Sequence, residues 1–248
     1  MNHSTIDIQP CQALLSRYAE KLHQFEQLLV DENAKYNLTR ITSPQQVQTR
    51  HFLDSLAAIG LLDALAHSRQ RPLRILDVGS GAGFPGLVLA TVRPEWSFVS
   101  LEATDKKARF QETVCKALNL TNIQILHGRA EETAHKPAFR EAFDAVTARA
   151  LAPMPMLAEL VLAFLRQQGL GIFWKGSSAA EETAAAETAI RQMGGTVEQI
   201  AAYTLSDETQ EAVTFSLVVC RKISASPPKY PRVFGIIKKH PLNEISNP

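Results

Sequence analysis

The feature that most restricts the fold is the stretch Gly79-Ser80-Gly81-Ala82-Gly83, entered from the apolar run Leu73 to Val78. Such a short apolar run, preceded by Arg71-Pro72, fits a buried strand. Alternating glycines allow positive φ and let a ligand approach the backbone. Phe84 to Val92 then reads as a helix. A strand, a glycine turn and a helix make the opening unit of an α/β sheet, and the chain repeats the alternation. Strands are expected at Phe98–Glu102, Ile123–Leu126, Phe143–Thr147 and Gly171–Trp174. Helices are expected at Asp105–Leu118, Pro155–Arg166 and Ala179–Met193. Two last strands, Thr196–Leu205 and Ala212–Cys220, have only a short polar loop between them and read as an antiparallel hairpin at one edge. The expected fold is α/β, with a seven-stranded, mostly parallel sheet.

Residues 1–70 differ in pattern. Leu14, Leu15, Tyr18, Leu22, Phe25 and Leu29 recur at helical spacing. Asn37-Leu38-Thr39 interrupts them, Ser43-Pro44 has the form of a helix start, and His51 to Leu65 is helical again. The domain reading is a helical cap at 1–70, an α/β domain at 71–222 and a tail at 223–248. Apolar residues make up 45% of the chain, enough to bury a core of this size and too many for a disordered chain. Cys11, Cys115 and Cys220 are far apart and odd in number, which points to a reducing compartment and packed thiols. The first residues lack the charge and apolar core of a signal peptide, and no stretch is long enough to span a membrane, so a cytoplasmic protein is expected. The seven histidines show no metal spacing. The net charge of +1 conceals a basic end: from Arg221 onward six cationic residues face one acidic residue. Such an end suits either plain solvation or contact with phosphate.

The ligand chemistry is read from the strand ends. Gly81, Gly83 and Gly86 satisfy G-x-G-x-x-G, so the loop alone does not exclude a nicotinamide dinucleotide. Asp77, placed just before the glycines, disfavours a pyrophosphate and suits a cationic ligand. S-adenosyl-L-methionine carries a sulfonium, an ammonium and no phosphate. Glu102 ends the next strand twenty-five positions later and has two oxygens for a pair of ribose hydroxyls. The third strand ends in His127-Gly128-Arg129-Ala130-Glu131, which places Ala130 and Glu131 near a base or in a plain polar loop. Arg149 ends the fourth strand, where it can hold a carboxylate, pair with Asp77, touch phosphate or lie on the surface. His51 and Asp54 share a helix face, for packing or for RNA. No Asn-Pro-Pro-Tyr or Asp-Pro-Pro-Tyr motif and no Pro-Cys nucleophile stands at the fourth strand end.

Three motifs, Tyr36-Asn37-Leu38-Thr39, His51-Phe52-Leu53-Asp54-Ser55-Leu56 and Phe84-Pro85-Gly86, are far more specific than a bare glycine loop, and Lys106-Lys107, Gly128-Arg129-Ala130-Glu131, Arg149-Ala150 and Lys175-Gly176 accompany them. Through them the chain resembles the bacterial small-subunit rRNA guanine-N7 methyltransferases, the glucose-inhibited division protein B family. The resemblance implies a class I, Rossmann-like methyltransferase with an N-terminal helical cap and S-adenosyl-L-methionine as cofactor. It implies methylation of N7 of a guanine in 16S rRNA, with guanine 527 as the base. The partner is then 16S rRNA or the small ribosomal subunit, with no membrane, no metal and a monomeric enzyme. Cofactor contacts are expected at Asp77, Gly79, Gly81, Gly83, Phe84, Glu102, Ala103, Thr104, Ala130, Glu131 and Arg149. Arg149 and Lys175 are the candidate catalytic residues. Lys106, Lys107, Arg232, Lys238 and Lys239 are the candidate RNA contacts. Two departures stand out: Glu102-Ala103-Thr104-Asp105 replaces a serine-rich turn, and the tail from Tyr230 to Lys239 is more apolar than the usual basic ending.

Guanine N7 has a lone pair and no proton at neutral pH, so its methylation needs no general base and rests on positioning and electrostatics. Other readings remain open on the residues alone: a methyltransferase for another RNA, a protein or a small molecule; a nicotinamide oxidoreductase; and a non-catalytic ribosome-assembly factor.

Overall fold

The computed structural model describes residues 2–41, 43–206 and 212–242. Strand β1 (Asn2–Thr5) precedes the cap, which comprises α1 (Gln9–Arg17), α2 (Ala19–Tyr36), α3 (Pro44–Val47), a π-helical stretch at Gln48–Leu53, α4 (Asp54–Leu56) and α5 (Ile59–Arg69). The alternation follows: β2 (Arg74–Val78), α6 (Gly86–Val92), β3 (Ser97–Glu102), α7 (Asp105–Ala117), β4 (Ile123–His127), α8 (Ala130–Thr133), β5 (Phe143–Arg149), α9 (Met154–Leu162) and β6 (Leu165–Lys175). The chain continues through α10 (Ala179–Ala185), α11 (Glu187–Gln192), β7 (Gly195–Ser206), β8 (Ala212–Lys222) and α12 (Phe234–Lys239).

The strands form one sheet in the order β1-β7-β8-β6-β5-β2-β3-β4. From β6 to β4 neighbours are parallel, and β8 is antiparallel to both β6 and β7. From β2 the chain moves outward through β3 and β4, then returns to β5 on the other side of β2. The direction of winding therefore reverses between β2 and β5, and ligand crevices in open α/β sheets lie outside the carboxyl ends at such a reversal.

Both faces of the sheet are covered. Alternation along β2 sends Ile75 to one core cluster and its neighbour Leu76 to the other. The first cluster joins the cap to the sheet through Phe25, Leu29, Phe52, Leu56, Leu87 and Phe110. The second packs α9 and α11 under the tail, with Leu157, Val161, Ile190, Met193 and Ile237. Asn37, in the left-handed region at φ 51°, ends α2. Ser43 caps α3 by accepting from the Gln46 N–H at 3.2 Å, with Pro44 at the first helical position.

Among the described residues the sheet has eight strands rather than seven. The extra one, β1, pairs in parallel with β7 and extends the edge, so the first residues belong to the sheet and not to the helical cap. Its four residues carry no periodicity, and only the exposed edge of β7 makes them a strand. The predicted Pro155–Arg166 helix stops at Leu162, and β6 starts at Leu165, far ahead of Gly171. An apolar run such as Leu157–Leu165 fits a buried helix or a buried strand equally, and pairing of Leu165 with Phe143 decides. Helix α6 begins at Gly86 rather than Phe84, because a residue before proline is driven out of the α region. The alanine-rich helix breaks in two at Ala186. The loop joining the final hairpin, residues 207–211, lies outside the described residues, as do the last six residues, 243–248, of the tail.

Candidate active site

The glycine loop is held by two carboxylates and a hydroxyl network. Asp77 is 1% exposed; its Oδ2 accepts from the Gly86 N–H at 2.9 Å and its Oδ1 from the Thr147 hydroxyl at 2.8 Å. It therefore ties the start of α6 to β5 and does not face the crevice, contrary to the expectation of a ligand-facing acid. Nor does it pair with Arg149. Burial raises its pKa to about 6, against the hydrogen bonds from Thr147 and Gly86, which favour the ionised form. Glu102 accepts from the Gly81 N–H and the Thr104 N–H, both at 2.8 Å, so one oxygen holds the glycine loop, the other holds the turn after β3, and both keep further lone pairs. Gln111 donates to the Ser80 hydroxyl and the Gly81 carbonyl, both at 2.8 Å, and Ser100 donates to Ser80 at 2.6 Å. Ser80, Ser100 and Gln111 carried no signal in the sequence, since polar residues at these positions look like ordinary strand and helix residues.

Phe84 departs from its expected place. Its side chain is 3% exposed and stacks between Phe25, with centroids 5.2 Å apart, and His51, at 4.3 Å. It locks the cap onto the loop rather than pointing into the ligand crevice. His51 and Asp54 serve the packing reading. Arg149 Nη1 donates to Asp54 Oδ2 at 2.7 Å and Arg149 Nη2 meets His51 Nδ1 at 3.0 Å. A guanidinium has no acceptor, so His51 Nδ1 accepts, and Nε2 carries the proton toward the Thr39 hydroxyl at 2.9 Å. Burial, followed by the Arg149 charge, lowers the His51 pKa to about 3, so the ring is neutral. Asp54 Oδ1 accepts from Tyr203 at 2.5 Å and the Asp54 carbonyl from the Trp174 indole at 2.8 Å. Asp54 thus ties the cap to β5 and β7 through its carboxylate and to β6 through its main-chain carbonyl.

Two cavities open at the strand ends. The first, about 170 Å³, is lined by Gly79, Ala103, Ala130, Glu131, Leu151 and Phe234, among others. A Cβ on Gly79 (φ 68°) would lie 2.5 Å from Leu151 Cδ1, so glycine keeps this cavity open. The second, about 440 Å³, is lined by Ile41, Arg50, Asp54, Arg149, Lys175 and Phe215, among others. The Arg50 guanidinium lies 4.6 Å from the Phe215 ring centre. The consecutive residues Arg149, Ala150 and Leu151 divide the two: the first pair lines the larger cavity and Leu151 the smaller. A further cavity of about 480 Å³ lies within the cap, beside Leu15, Leu22 and Phe52, away from the strand ends.

Lys175 lines the larger cavity, with Nζ donating to the Ala152 carbonyl at 2.9 Å and to Glu182 at 2.7 Å. Lys106 donates to the Tyr36 carbonyl at 2.9 Å and bridges α7 to the cap, while Lys107 is half-buried. Lys238 and Lys239 are exposed. Arg232 is not a free cation. Its N, Nε and Nη2 donate to the fully buried Glu159 at 2.8, 2.9 and 2.7 Å, which removes it from the candidate phosphate contacts. Burial raises the thiol pKa of Cys11 and Cys115 to about 11 and of Cys220 to about 12, so none is a nucleophile at neutral pH. Among the described residues no group of three His, Cys, Asp or Glu is placed to hold a metal ion, and no helix is long and apolar enough to cross a membrane.

Among solved structures, an SAM-dependent O-methyltransferase from Thermotoga maritima is similar in fold, with a TM-score of 0.53 at 18% identity over 80% of this chain and 72% of that one. The fold is that of a class I methyltransferase. The family model described as rRNA small subunit methyltransferase G matches residues 18–221. Curated relatives carrying the name ribosomal RNA small subunit methyltransferase G are similar over nearly the whole length. The relative from Desulfitobacterium hafniense is 37% identical, covering 90% of this chain and 89% of its own. That from Carboxydothermus hydrogenoformans is 38% identical, covering 92% and 94%. A match of this extent and identity places the chain in the family of rRNA small subunit methyltransferase G.

Proposed function

We propose that the protein transfers a methyl group from S-adenosyl-L-methionine to N7 of a guanine in the 16S RNA of the small ribosomal subunit, with guanine 527 as the base. The observation that carries this reading is the pair of cavities divided by Arg149, Ala150 and Leu151. A methyl donor and a nucleobase must meet end to end, and two cavities sharing one strand end provide that arrangement.

The smaller cavity and the adjoining loop fit the cofactor. Gly79 leaves room for a close backbone approach, Ala103 and Ala130 present small apolar surfaces, and the Glu102 oxygens retain lone pairs for ribose hydroxyls. Gly81, Gly83 and Thr104 shape the loop around that carboxylate. S-adenosyl-L-methionine, when bound, supplies an electrophilic methyl on a sulfonium.

The larger cavity receives the base. The Arg50–Phe215 pair offers a flat face on which a purine stacks. Arg149 is held by Asp54 and His51, so its charge stays in one place. His51 is kept neutral, which spares the site one more positive charge beside a ring that becomes cationic on methylation. No residue takes a proton, because N7 has none to lose. Lys175 is braced by Glu182, so the pair carries little net charge and orients rather than attracts. Lys106, Lys107, Lys238 and Lys239 make contacts to RNA phosphate.

The test is methyl transfer from labelled S-adenosyl-L-methionine to unmodified small-subunit rRNA, naked and assembled into the subunit, followed by borohydride–aniline scission. A single cleavage at a methylated guanine is expected on one of the two substrate forms. Label incorporated without cleavage would overturn the N7 assignment, and no incorporation on either form would overturn the rRNA substrate.

A further inference from the structure

The family match ends at residue 221, yet the chain beyond it is packed on the end of α9 and on the segment between α8 and β5, and reaches the strand ends at Phe234. Lys222 is fully buried and donates to the Leu162 carbonyl at 2.8 Å and to Ser226 at 2.5 Å. Arg140 donates to the Tyr230 carbonyl at 2.9 Å and the Ser226 carbonyl at 2.8 Å, and His135 Nε2 meets the Pro231 carbonyl at 2.8 Å. The Arg232–Glu159 pair and the fully buried Ile237 hold the next turn. Between these anchors stands Phe234. It lines the smaller cavity together with Gly79, Ala103, Ala130 and Leu151. The Arg129 guanidinium lies 5.1 Å from its ring centre, and Arg129 Nε also donates to Glu131 at 2.7 Å. The tail is therefore tied to the loop after β4 through one aromatic ring.

We propose that Phe234 is a cofactor-binding residue, its ring forming the wall against which the adenine of S-adenosyl-L-methionine packs. The proposal rests on reading the smaller cavity as part of the cofactor site. At about 170 Å³ it lies below the roughly 300 Å³ at which pockets for whole small molecules begin, so it takes one end of a ligand. Its lining is mostly apolar, with Arg129 and Glu131 at one side. An aromatic face backed by a guanidinium suits a purine better than it suits the methionyl end, which carries an ammonium and a carboxylate. Stacking also explains why the tail is apolar from Val233 to Ile237 and why its arginine is spent on Glu159: the segment is built to seat a ring, and the exposed Lys229, Lys238 and Lys239 on either side of it remain for phosphate.

The experiment is calorimetric titration of the full chain with S-adenosyl-L-methionine and, separately, with adenosine. Variants are Phe234→Ala, Phe234→Tyr and, as a control on the same short helix, Ile236→Ala, which replaces a half-exposed side chain that does not line the cavity. Thermal unfolding without ligand checks each fold. Phe234→Ala should weaken both ligands about tenfold, Phe234→Tyr should stay within about twofold of the native chain, and Ile236→Ala should change neither. Glu159→Gln, which loosens the anchor while keeping its shape, should shift affinity in the same direction by a smaller factor. Unchanged binding in Phe234→Ala would overturn the proposal, and tighter binding would show that the ring obstructs the adenine instead of seating it. Failure of the native chain to bind S-adenosyl-L-methionine at all would overturn the cofactor reading itself.

Discussion

The two cavities at the strand ends are built in opposite ways. The smaller one is formed chiefly by the segments that follow β2, β3, β4 and β5, which contribute Gly79, Ala103, Ala130 and Leu151, and Leu160 of α9 and Phe234 of the tail complete its wall. The larger one draws Ile41 and Arg50 from the cap, Arg149 from β5, Lys175 from β6 and Phe215 from β8. A site made from consecutive strand ends is inherited from the sheet and tolerates change in the cap. A site made from five distant segments exists only when the cap is docked, and one buried residue, Asp54, joins the cap to β5 and β7 through its carboxylate and to β6 through its main-chain carbonyl. Cofactor binding and base recognition should therefore be separable by mutation.

Removing Arg149 is the strongest way to break this division. Arg149→Ala leaves Asp54 buried without its charged partner, with only the Tyr203 hydroxyl on its carboxylate, so a stability loss of about 3 kcal/mol in urea unfolding is expected, with methyl transfer reduced more than about 100-fold. Titrated with S-adenosyl-L-methionine, the same variant should stay within a few-fold of the native affinity. An equal loss of binding and transfer would show the two cavities to be one site.

Gly79→Ala attacks the other cavity. The left-handed backbone costs about 1–2 kcal/mol for any residue with a Cβ, and here that Cβ also drives Leu151 into the cavity. Cofactor affinity should fall at least tenfold while RNA binding, measured by filter retention, is unchanged. Gly81→Ala has a similar φ of 60° and open space around the new methyl, so it should show the backbone cost alone.

Each region also holds a buried group whose pKa is displaced, Asp77 by the glycine loop and His51 by the larger cavity, and the two respond to pH in opposite directions. Asp77 has a folded pKa of about 6, above the ordinary carboxylate value of 3.8, so stability rises as pH falls from 6 toward 4. His51 has a folded pKa of about 3, below its ordinary 6.5, so its contribution is full above pH 6.5 and is lost as pH falls below it. In urea unfolding between pH 4 and 6.5, Asp77→Asn should remove a gain on the order of 2 kcal/mol, and His51→Gln should remove a loss of similar size. Slopes that change in the same direction would contradict the assignment.

Phe215→Ala sharpens the comparison from the substrate side. It should raise KM for RNA about tenfold and leave cofactor affinity alone. The smallest effect belongs to the exposed lysines of α12. Lys238→Ala with Lys239→Ala should lower RNA affinity modestly and reduce the salt slope by up to about 2, and an unchanged slope would remove the tail from the RNA interface.

The strand ends were legible because their signal is local. Asp77, the three glycines and Glu102 stand where a strand, a turn and the next strand place them, whatever else the molecule does. Even there the chemistry was misassigned for two residues. Asp77 and Phe84 lie beside the loop in sequence, but direction is a property of packing: Phe84 turns into the cap between Phe25 and His51, and Asp77 turns under α6. Arg232 looked like an available cation because Glu159 is 73 positions away.

What the sequence determined by itself was the alternation of β2 to β6, the glycine turn, the helical cap and the family, all carried by periodicity and short motifs within a few residues of one another. What tertiary structure alone decided was the eighth strand, the start of β6, the cavity around Arg149 and the seating of the tail. Each of these rests on contacts between segments many residues apart, such as Tyr203 to Asp54 across 149 positions, or Arg149 to Asp54 across 95. The backbone period of a segment follows from its own side chains, whereas the partner of a buried charge or an aromatic ring is set by which distant segment desolvates it.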